Sequence, residues 1–591
     1  MRSRLLAWAA TAVLLSLMGT GTAMADVAPG EAVGQTAASQ QSANADASST
    51  QVEPTNQNIS VRVLSSGDDG AVTQSNTSAA EAAAANANAT LQAAGQSAPA
   101  GGNQAVGQEA QNTQAADATA DSTQIKPTNQ NIAVRVLSDG DNGDVSQENT
   151  SSAAALAANA DKTAQVADQS GGGGGGGAQA VGQKAASDQY ADAGADSVQD
   201  HPSNVNAPVR VLSKGDGGDV EQANTSTAES AALNANETLQ KAAQDQGDQR
   251  RPVREDTGAC CQQQKPVQQD TGSCCQQQKP VQQDEGCGCE QKPVQQDQGC
   301  GCASKPGAAI QAIGQKADNR QNADAGATSK QVGATNVNAP VRVKSAGGDG
   351  DVSQSNDSFA GAIAANENAT GQFAQQAQGA SRPGTVGIQA IGQLAKSDQN
   401  ADADATSLQV GATNVNAPVG VLSGGGGGGD VSQSNSSVAG ALALNLNATK
   451  QVARQDMGGG SGPLAIQAIG QAAFNHQDAD ADASSFQLWP ANVNTPVSTG
   501  GEKACGCASK PEGKAPEGKA PADSKGEAPF GGAPADSKGD AALDHPSGER
   551  PAPVGHEPMK GGDGSVEQAN DSAALAAGLN ANWIGQLAFQ G

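Results

Sequence analysis

Bulky core residues are scarce in this sequence. Aromatic side chains make up 2% of its 591 residues, with 3 Trp, 1 Tyr and 6 Phe, whereas Gly numbers 75. An ordinary globular domain is built on many more large apolar side chains. A core must therefore come from close stacking of small residues, or it does not form at all.

Positive charge is also in short supply. Lys and Arg number 34 against 61 Asp and Glu, which gives a formal net charge of −27. Nucleic acid and anionic lipid attract basic surfaces, so this balance argues against both as partners. The charge balance favours an acidic exterior exposed to solvent, and cation binding is the alternative.

No constellation of catalytic residues recurs. The 4 His residues, His201, His476, His545 and His556, are scattered. No nucleophile elbow or phosphate-binding loop is present. We therefore expect a protein that is not an enzyme, and we assign it no catalytic residue, no cofactor and no metal ligand.

The N-terminus has the features of a secretory signal peptide. Arg2 and Arg4 give a positive start, residues 5–18 are apolar, and Ala23-Met24-Ala25 is a small-residue cleavage motif. This predicts a signal peptide over residues 1–25 and a protein that is secreted, outside the cell or at its surface. The apolar run is short for a bilayer span and no later run replaces it, so no membrane insertion is expected.

Two kinds of run alternate along the rest of the chain, and both have a period of two. In the stretch from Gln433 to Gln451, every second residue is small or carries an amide, while the residues between them vary. Extended chain places successive side chains on opposite faces. We expect the constant register to face inward and the variable register to face solvent.

The runs recur as six modules. The Gln that opens the first run of each module returns at steps of 73, 75, 132, 78 and 78 residues, at Gln35, Gln108, Gln183, Gln315, Gln393 and Gln471. A near-constant period predicts a repeat array in which neighbouring modules bury each other's faces.

Module boundaries are placed where the composition changes. Five modules are continuous, and the sixth is split by an insertion. The divisions after the signal peptide are modules at 26–100, 101–177, 178–245, 308–385 and 386–463, a split module at 464–499 and 561–591, a Cys/Gln/Pro-rich linker at 246–307, and a Cys/Pro/Lys-rich disordered insertion at 500–560.

Between its two runs each module carries a β-branched connector and a Gly/Asp turn, such as 336–343 and 67–70. The turns favour a hairpin more strongly than a Ca²⁺ site. The pattern as a whole predicts a mainly β fold, either a β-solenoid or stacked strand–turn–strand modules of the cross-β kind, with disordered linkers.

A straight strand over 433–451 would span roughly 60 Å at about 3.3 Å a residue. We therefore expect each run to bend, because strands are usually about 5–6 residues long. Two alternatives stay open. The Ala-rich segments, such as 79–94, are good helix formers, and the isolated monomer could be largely disordered.

Stacked modules would place like side chains above one another. Amides in register hydrogen-bond along such a stack, and Ala lets the sheets approach closely. The predicted ladder residues, taken from two modules, are Gln74, Asn76, Asn86, Asn88, Gln92, Gln433, Asn435, Asn445, Asn447 and Gln451.

The 10 Cys residues form five doublets outside the repeat pattern. An even number favours disulfides in an exported protein, and adjacent Cys bridge each other only with strain. We expect doublets to bond other doublets and to cross-link assemblies. Zinc is a weaker alternative, because no C-x2-C spacing is present. The candidates are Cys260, Cys261, Cys274, Cys275, Cys287, Cys289, Cys300, Cys302, Cys505 and Cys507.

The spaced amides with Ala between them, as in Gln354, Asn356, Ala360 and Gln372, resemble the curlin repeats of bacterial curli fibres. The resemblance covers the alternating runs. Curlin units are shorter and lack the connector and the Cys segments. The resemblance implies an extracellular structural fibre whose units stack as cross-β.

From these features we expect a secreted structural protein of a cell surface, biofilm matrix or spore coat. Its main partner would be itself, with other cell-envelope proteins as further partners. The alternative is a monomeric extracellular binding or adhesion solenoid with an acidic, Ca²⁺-binding face.

Overall fold

The residues that the computed structural model describes form 23 β-strands. It describes residues 21–27, 32–98, 102–171, 177–246, 308–379, 386–423, 429–458, 464–499 and 564–591. The prediction of a mainly β repeat fold is confirmed: strands stack in parallel, module upon module, and no helix occurs in the described ranges.

The strands form three parallel sheets. Sheet A comprises β1 (Gly21–Val27), β4 (Val72–Ala98), β7 (Val145–Gly171), β11 (Val220–Gln246), β15 (Val352–Gln378), β19 (Val431–Met457) and β23 (Val566–Gln590). Sheet B comprises β2 (Ala32–Val52), β5 (Gln104–Ile125), β8 (Ala178–Asp200), β12 (Ala308–Val332), β16 (Val386–Val410) and β20 (Leu464–Leu488). Sheet C comprises β3 (Thr55–Val63), β6 (Thr128–Val136), β9 (Ser203–Asn206), β10 (Val209–Val211), β13 (Thr335–Asn338), β14 (Val341–Val343), β17 (Thr413–Asn416), β18 (Val419–Val421), β21 (Ala491–Asn494) and β22 (Val497–Thr499).

Each module forms one rung of a β-solenoid. Its chain runs along sheet B, turns through sheet C, and returns along sheet A. We number the rungs 1 to 6 from the N-terminus. Rung 1 is β2–β4 and rung 6 is β20–β23. Equivalent residues of neighbouring rungs pair directly, as Gln74 does with Gln147 and Gln147 with Gln222.

The long runs are unbroken strands, with no turn inside them. In sheet A, β4, β7, β11, β15 and β19 are each 27 residues long without a break. Strands of globular proteins are short because the core they cover is small. Here each interior strand pairs along its whole length with a strand on either side, and the facing sheet covers its inner register, so nothing requires a bend.

Sharp turns separate the three sheets. Glu53, Lys126 and His201 have φ near +50°, and so do Leu64 and Leu137 at the second corner. The Gly/Asp turns join sheet C to sheet A. They do not form hairpins, because every strand pairing is parallel.

Glycine is required where these turns stack. Gly140 has φ +120°, and a Cβ built on it would lie 2.5 Å from the carbonyl oxygen of Gly67 in the preceding rung. A side chain at this position would push the two rungs apart.

The core consists mainly of alanine. In most rungs, three alanines of sheet A pack against three alanines of sheet B. Examples are Ala153, Ala155 and Ala157 of sheet A, and Ala191, Ala193 and Ala195 of sheet B. A second cluster sets Val or Ile of sheet B against Ala of sheet A. The constant register therefore faces inward, and the scarcity of bulky residues reflects two sheets with small side chains between them.

Ser230 occupies one of these alanine positions. It lies beside Ala155 and Ala362 in the neighbouring strands. It is 3% exposed, and its hydroxyl has no hydrogen-bond partner. A buried hydroxyl without a partner carries a desolvation cost.

We predict that Ser230→Ala raises the free energy of unfolding by about 1–3 kcal/mol, because it removes this desolvation cost and places an alanine methyl between Ala155 and Ala362. Urea denaturation measures the change.

Ser226 in the same strand is the matched control. Its hydroxyl contacts those of Ser197 and Ser329 at 2.9 and 3.0 Å. Ser226→Ala should therefore lower the stability. If both substitutions change it in the same direction, hydrogen bonding does not distinguish the two sites.

Candidate functional site

Ladders of glutamine side chains run along the solenoid. Gln147 Nε2 donates to Gln74 Oε1 at 2.7 Å, Gln222 donates to Gln147 at 2.8 Å, and Gln354 donates to Gln222 at 2.8 Å. The same ladder continues through Gln433 to Gln568 in rung 6. A hydrogen-bonded column therefore extends through all six rungs.

The same amides also tie the two large sheets together. Gln108 Nε2 donates to Gln35 along the stack and to the backbone carbonyl of Val166 in sheet A at 3.1 Å. Gln165 of sheet A donates to Gln92 and to the carbonyl of Lys184 in sheet B. Each such amide uses both N–H groups, so it satisfies buried polar atoms in two directions.

The asparagine ladders donate in the opposite direction. Asn149 Nδ2 donates forward to Asn224 Oδ1 at 2.9 Å, whereas Gln222 donates backward to Gln147. Aligned amide dipoles along one column are thus opposed by those of another. Each end of the solenoid consequently presents both donors and acceptors.

The structure places all the sequence-predicted ladder residues in hydrogen-bonded pairs. The pairs are Gln74 with Gln147, Asn76 with Asn149, Asn86 with Asn159, Asn88 with Asp161, Gln92 with Gln165, Gln433 with Gln354, Asn435 with Asn570, Asn445 with Asn580, Asn447 with Asn582 and Gln451 with Gln372.

Sequence reasoning missed three further arrays. Asparagines of the connector stack, as Asn129 does with Asn204 at 2.9 Å. Serines of the two large sheets meet alternately, as Ser122 does with Ser78 and Ser151. The arginines of sheet C also form a column. All three repeat in register in the sequence, and this repetition was the available signal.

Asp161 interrupts one ladder. It stands where the other rungs have Asn and accepts from Asn88 at 2.8 Å and from Asn112 at 3.0 Å. A carboxylate has no N–H to donate, and Oδ1 of the next residue in the column, Asn236, has no partner. Burial raises the pKa of Asp161, and the hydrogen bonds it accepts act in the opposite direction.

Aspartates form a column on the outer face of sheet B. Asp117, Asp192, Asp324, Asp402 and Asp480 are direct neighbours in successive strands. Burial and then the adjacent carboxylates raise the pKa of Asp117, Asp324 and Asp402.

No group of three or more His, Cys, Asp or Glu suited to holding a metal ion occurs in the described ranges. The ten disulfide candidates all lie outside the described residues. Within the stretches that the structure describes, no helix has the length and apolarity needed to cross a bilayer.

Among the residues that the structure describes, no strand pairs with the outer edge of rung 6. Its large apolar side chains are exposed: Trp489 by 79%, Leu575 by 72% and Phe474 by 62%. At the other end of the solenoid, Val52, Val61 and others on rung 1 are exposed. β1 pairs with Thr90–Gln96 of β4, and the rest of rung 1 has no partner on its outer side among the described residues. Each strand of the interior rungs has a partner on both sides.

The chain was compared with protein-family models, curated proteins and solved structures, and none of them matches it.

We predict that Asp161→Asn raises the free energy of unfolding at neutral pH by about 1–3 kcal/mol. The new amide removes a buried charge and can donate to Asn236. Denaturant titration measures the change. Asn236→Asp is the matched control and should lower the stability, because it sets a second buried carboxylate beside Asp161. Equal stability of the two variants would contradict the account of this ladder.

The aspartate column predicts a pH dependence. Carboxyls whose pKa is raised by folding stabilise the fold when protonated, and this stabilisation is lost as the pH rises through their folded-state pKa. The free energy of unfolding should therefore rise as the pH falls from 7 toward the ordinary Asp range near 3.8. Asp324→Asn should make the free energy of unfolding depend less on pH. An unchanged slope of this free energy against pH would contradict the role of the aspartate column.

Proposed function

We propose that this protein is an exported structural subunit that stacks end to end with copies of itself. The observation that carries the proposal is the continuity of the amide ladders through six rungs. Among the described residues, the outer edge of rung 6 has no partner, and that of rung 1 is paired only where β1 lies beside Thr90–Gln96. A second copy can extend the ladders that β1 does not cover, as a seventh rung would. The resemblance to curlin repeats and the signal peptide support the same setting outside the cell.

The backbone of the two ends is complementary. An inward-facing residue donates its N–H toward the next rung, as Val431 does to Ser565 at 2.8 Å, and an outward-facing one donates back, as Gly591 does to Gln455 at 2.9 Å. In β23 the N–H groups of inward-facing residues therefore point away from the stack. In rung 1, outside the stretch Thr90–Gln96 that β1 covers, the outward-facing residues present their N–H groups at the opposite end. Uncovered edges of this kind are templates for pairing with another chain.

The side chains are complementary as well. Continuing the register of the stack would set Phe474 beside Ala38 and Trp583 beside Ala89. Large residues of rung 6 would thus lie next to small ones of rung 1. The exposed Val497 of rung 6 shares its column with Val61 of rung 1, so apolar surface meets apolar surface.

Such a contact joins different surfaces of the two copies. A head-to-tail contact that does not close on itself generates an open filament. The strands would then lie across the filament axis at the spacing of about 4.7 Å typical of cross-β structure. The Cys doublets at 260–302 and 505–507 are candidates for covalent ties between the stacked copies.

We predict that Ala576→Pro blocks growth at the C-terminal end. Ala576 pairs with the inward-facing Ala441, so its N–H points to the uncovered edge, and proline removes that donor. The variant should leave the stability of the single chain nearly unchanged. Added in substoichiometric amounts to the parent under reducing conditions, it should shorten filaments in electron micrographs.

Ala577→Pro is the matched control. Ala577 is the neighbouring outward-facing residue, and its N–H points back to rung 5, so proline there should destabilise rung 6 itself. The proposal fails if the parent stays monomeric at high concentration, or if Ala576→Pro chains elongate as well as the parent.

The alternative function, cation binding by a monomer, depends on the aspartate column. Sedimentation with and without Ca²⁺ separates the two. A monomer whose stability rises on Ca²⁺ addition supports the binding solenoid. Concentration-dependent filaments without Ca²⁺ support the structural subunit.

A further inference from the structure

A column of arginines lines the inner face of sheet C, apart from the amide ladders. Arg62, Arg135, Arg210 and Arg342 are direct neighbours in rungs 1 to 4. Arg135 is 0% exposed and Arg210 is 2% exposed. Guanidinium groups remain charged in proteins, so each buried one needs a counter-charge.

In three of these rungs an aspartate of the Gly/Asp turn supplies that counter-charge. Asp69 accepts from Nε of Arg62 at 2.5 Å and from Nε of Arg135 at 2.8 Å. Asp349 accepts from Arg342 at 2.9 Å. Asp69 thus serves its own rung and the next one.

Arg210 has no such partner. Asp69 is equivalent to Asn142 in rung 2 and to Gly217 in rung 3, as the register of their backbone hydrogen bonds shows. Arg210 donates to the carbonyl of Gly215, but its Nε and Nη1 atoms have no acceptor. The side-chain oxygen of Asn142 makes no hydrogen bond either.

These residues line a cavity of about 320 Å³. Arg62, Arg210 and Arg342 contribute three cations to its wall, and Asp69 and Asp349 contribute two carboxylates. Gly217 has no side chain to offer Arg210, and a Cβ built on it would lie 3.1 Å from the backbone nitrogen of Gly350 in the next rung. Burial, followed by Arg135 and Arg342, lowers the pKa of Arg210, while Asp141 and Asp216 act in the opposite direction.

We propose that this cavity binds a small inorganic anion, of the size of chloride or phosphate, between Arg210 and the Asn142–Gly217 side of the turn. The anion replaces the carboxylate that Asp69 supplies in rungs 1 and 2. It accepts from Nε and Nη1 of Arg210 and balances the excess of guanidinium groups. Anion binding would then lock rung 3 to its neighbours independently of any contact between copies.

The test measures urea denaturation of the purified exported chain at low ionic strength, with chloride, phosphate or gluconate added at equal ionic strength. Gluconate is the control for general screening. Above its Kd, each tenfold increase in a binding anion should raise the folded-to-unfolded ratio about tenfold, whereas gluconate should not.

Asn142→Asp is the decisive variant. It adds a carboxylate one rung before Arg210, in the relation that Asp69 has to Arg135, and it needs no extra space. It should raise the urea concentration at the unfolding midpoint at low salt. It should also abolish the stabilisation that chloride or phosphate gives beyond that of gluconate. Gln40→Glu, an isosteric change that adds the same charge at an exposed position, should respond like the parent. A full anion response in Asn142→Asp, or a parent that responds no more to chloride and phosphate than to gluconate, overturns the proposal.

Discussion

Every side chain of this fold has its equivalent from the next rung about 4.8 Å away, the spacing of paired strands. This constraint decides which residues suit the interior. Amides and hydroxyls donate and accept at the same time, so copies of them satisfy one another in a column. Identical charges cannot do so. The inward register of the two large sheets therefore consists mainly of Ala, Ser, Thr, Asn and Gln, with Val or Ile at a few positions and few charged residues.

The energetics differ from those of a globular core. Burying an alanine methyl contributes about 0.8 kcal/mol, less than a Leu or Phe. An inward Gln makes a ladder bond and a bond to the facing sheet, each worth about 0.5–1.5 kcal/mol net. Ladders and small-residue packing thus contribute on a similar scale. Neither is dispensable, because alanine lets the facing sheets come close enough for the amides to bridge them.

Departures from the repeat stand out against this background. Because Asp161 cannot donate, the side-chain oxygen of Asn236 accepts no hydrogen bond. Ser230 places a hydroxyl without a partner in an alanine column, and Gly217 offers no carboxylate to Arg210. All three lie in rungs 2 and 3, within the stack. Asp161 and Ser230 are single substitutions in otherwise regular columns, whereas the column of Gly217 has Asp in rungs 1 and 4 and Asn142 in rung 2. The neighbouring rungs thus show what each column requires.

The sequence alone predicted the six modules and which register faces inward, because a period of two and a period of about 75 residues are present in the residue order. It favoured the mainly β class, and the structure excluded the helical alternative for the described residues. The sequence could not determine that each run is one unbroken strand, since partners on both sides permit that length. Nor could it reveal that Arg135 pairs with Asp69, 66 residues earlier, or that Arg210 has no such partner. Those relations exist only between stacked rungs, where separation along the chain no longer measures distance.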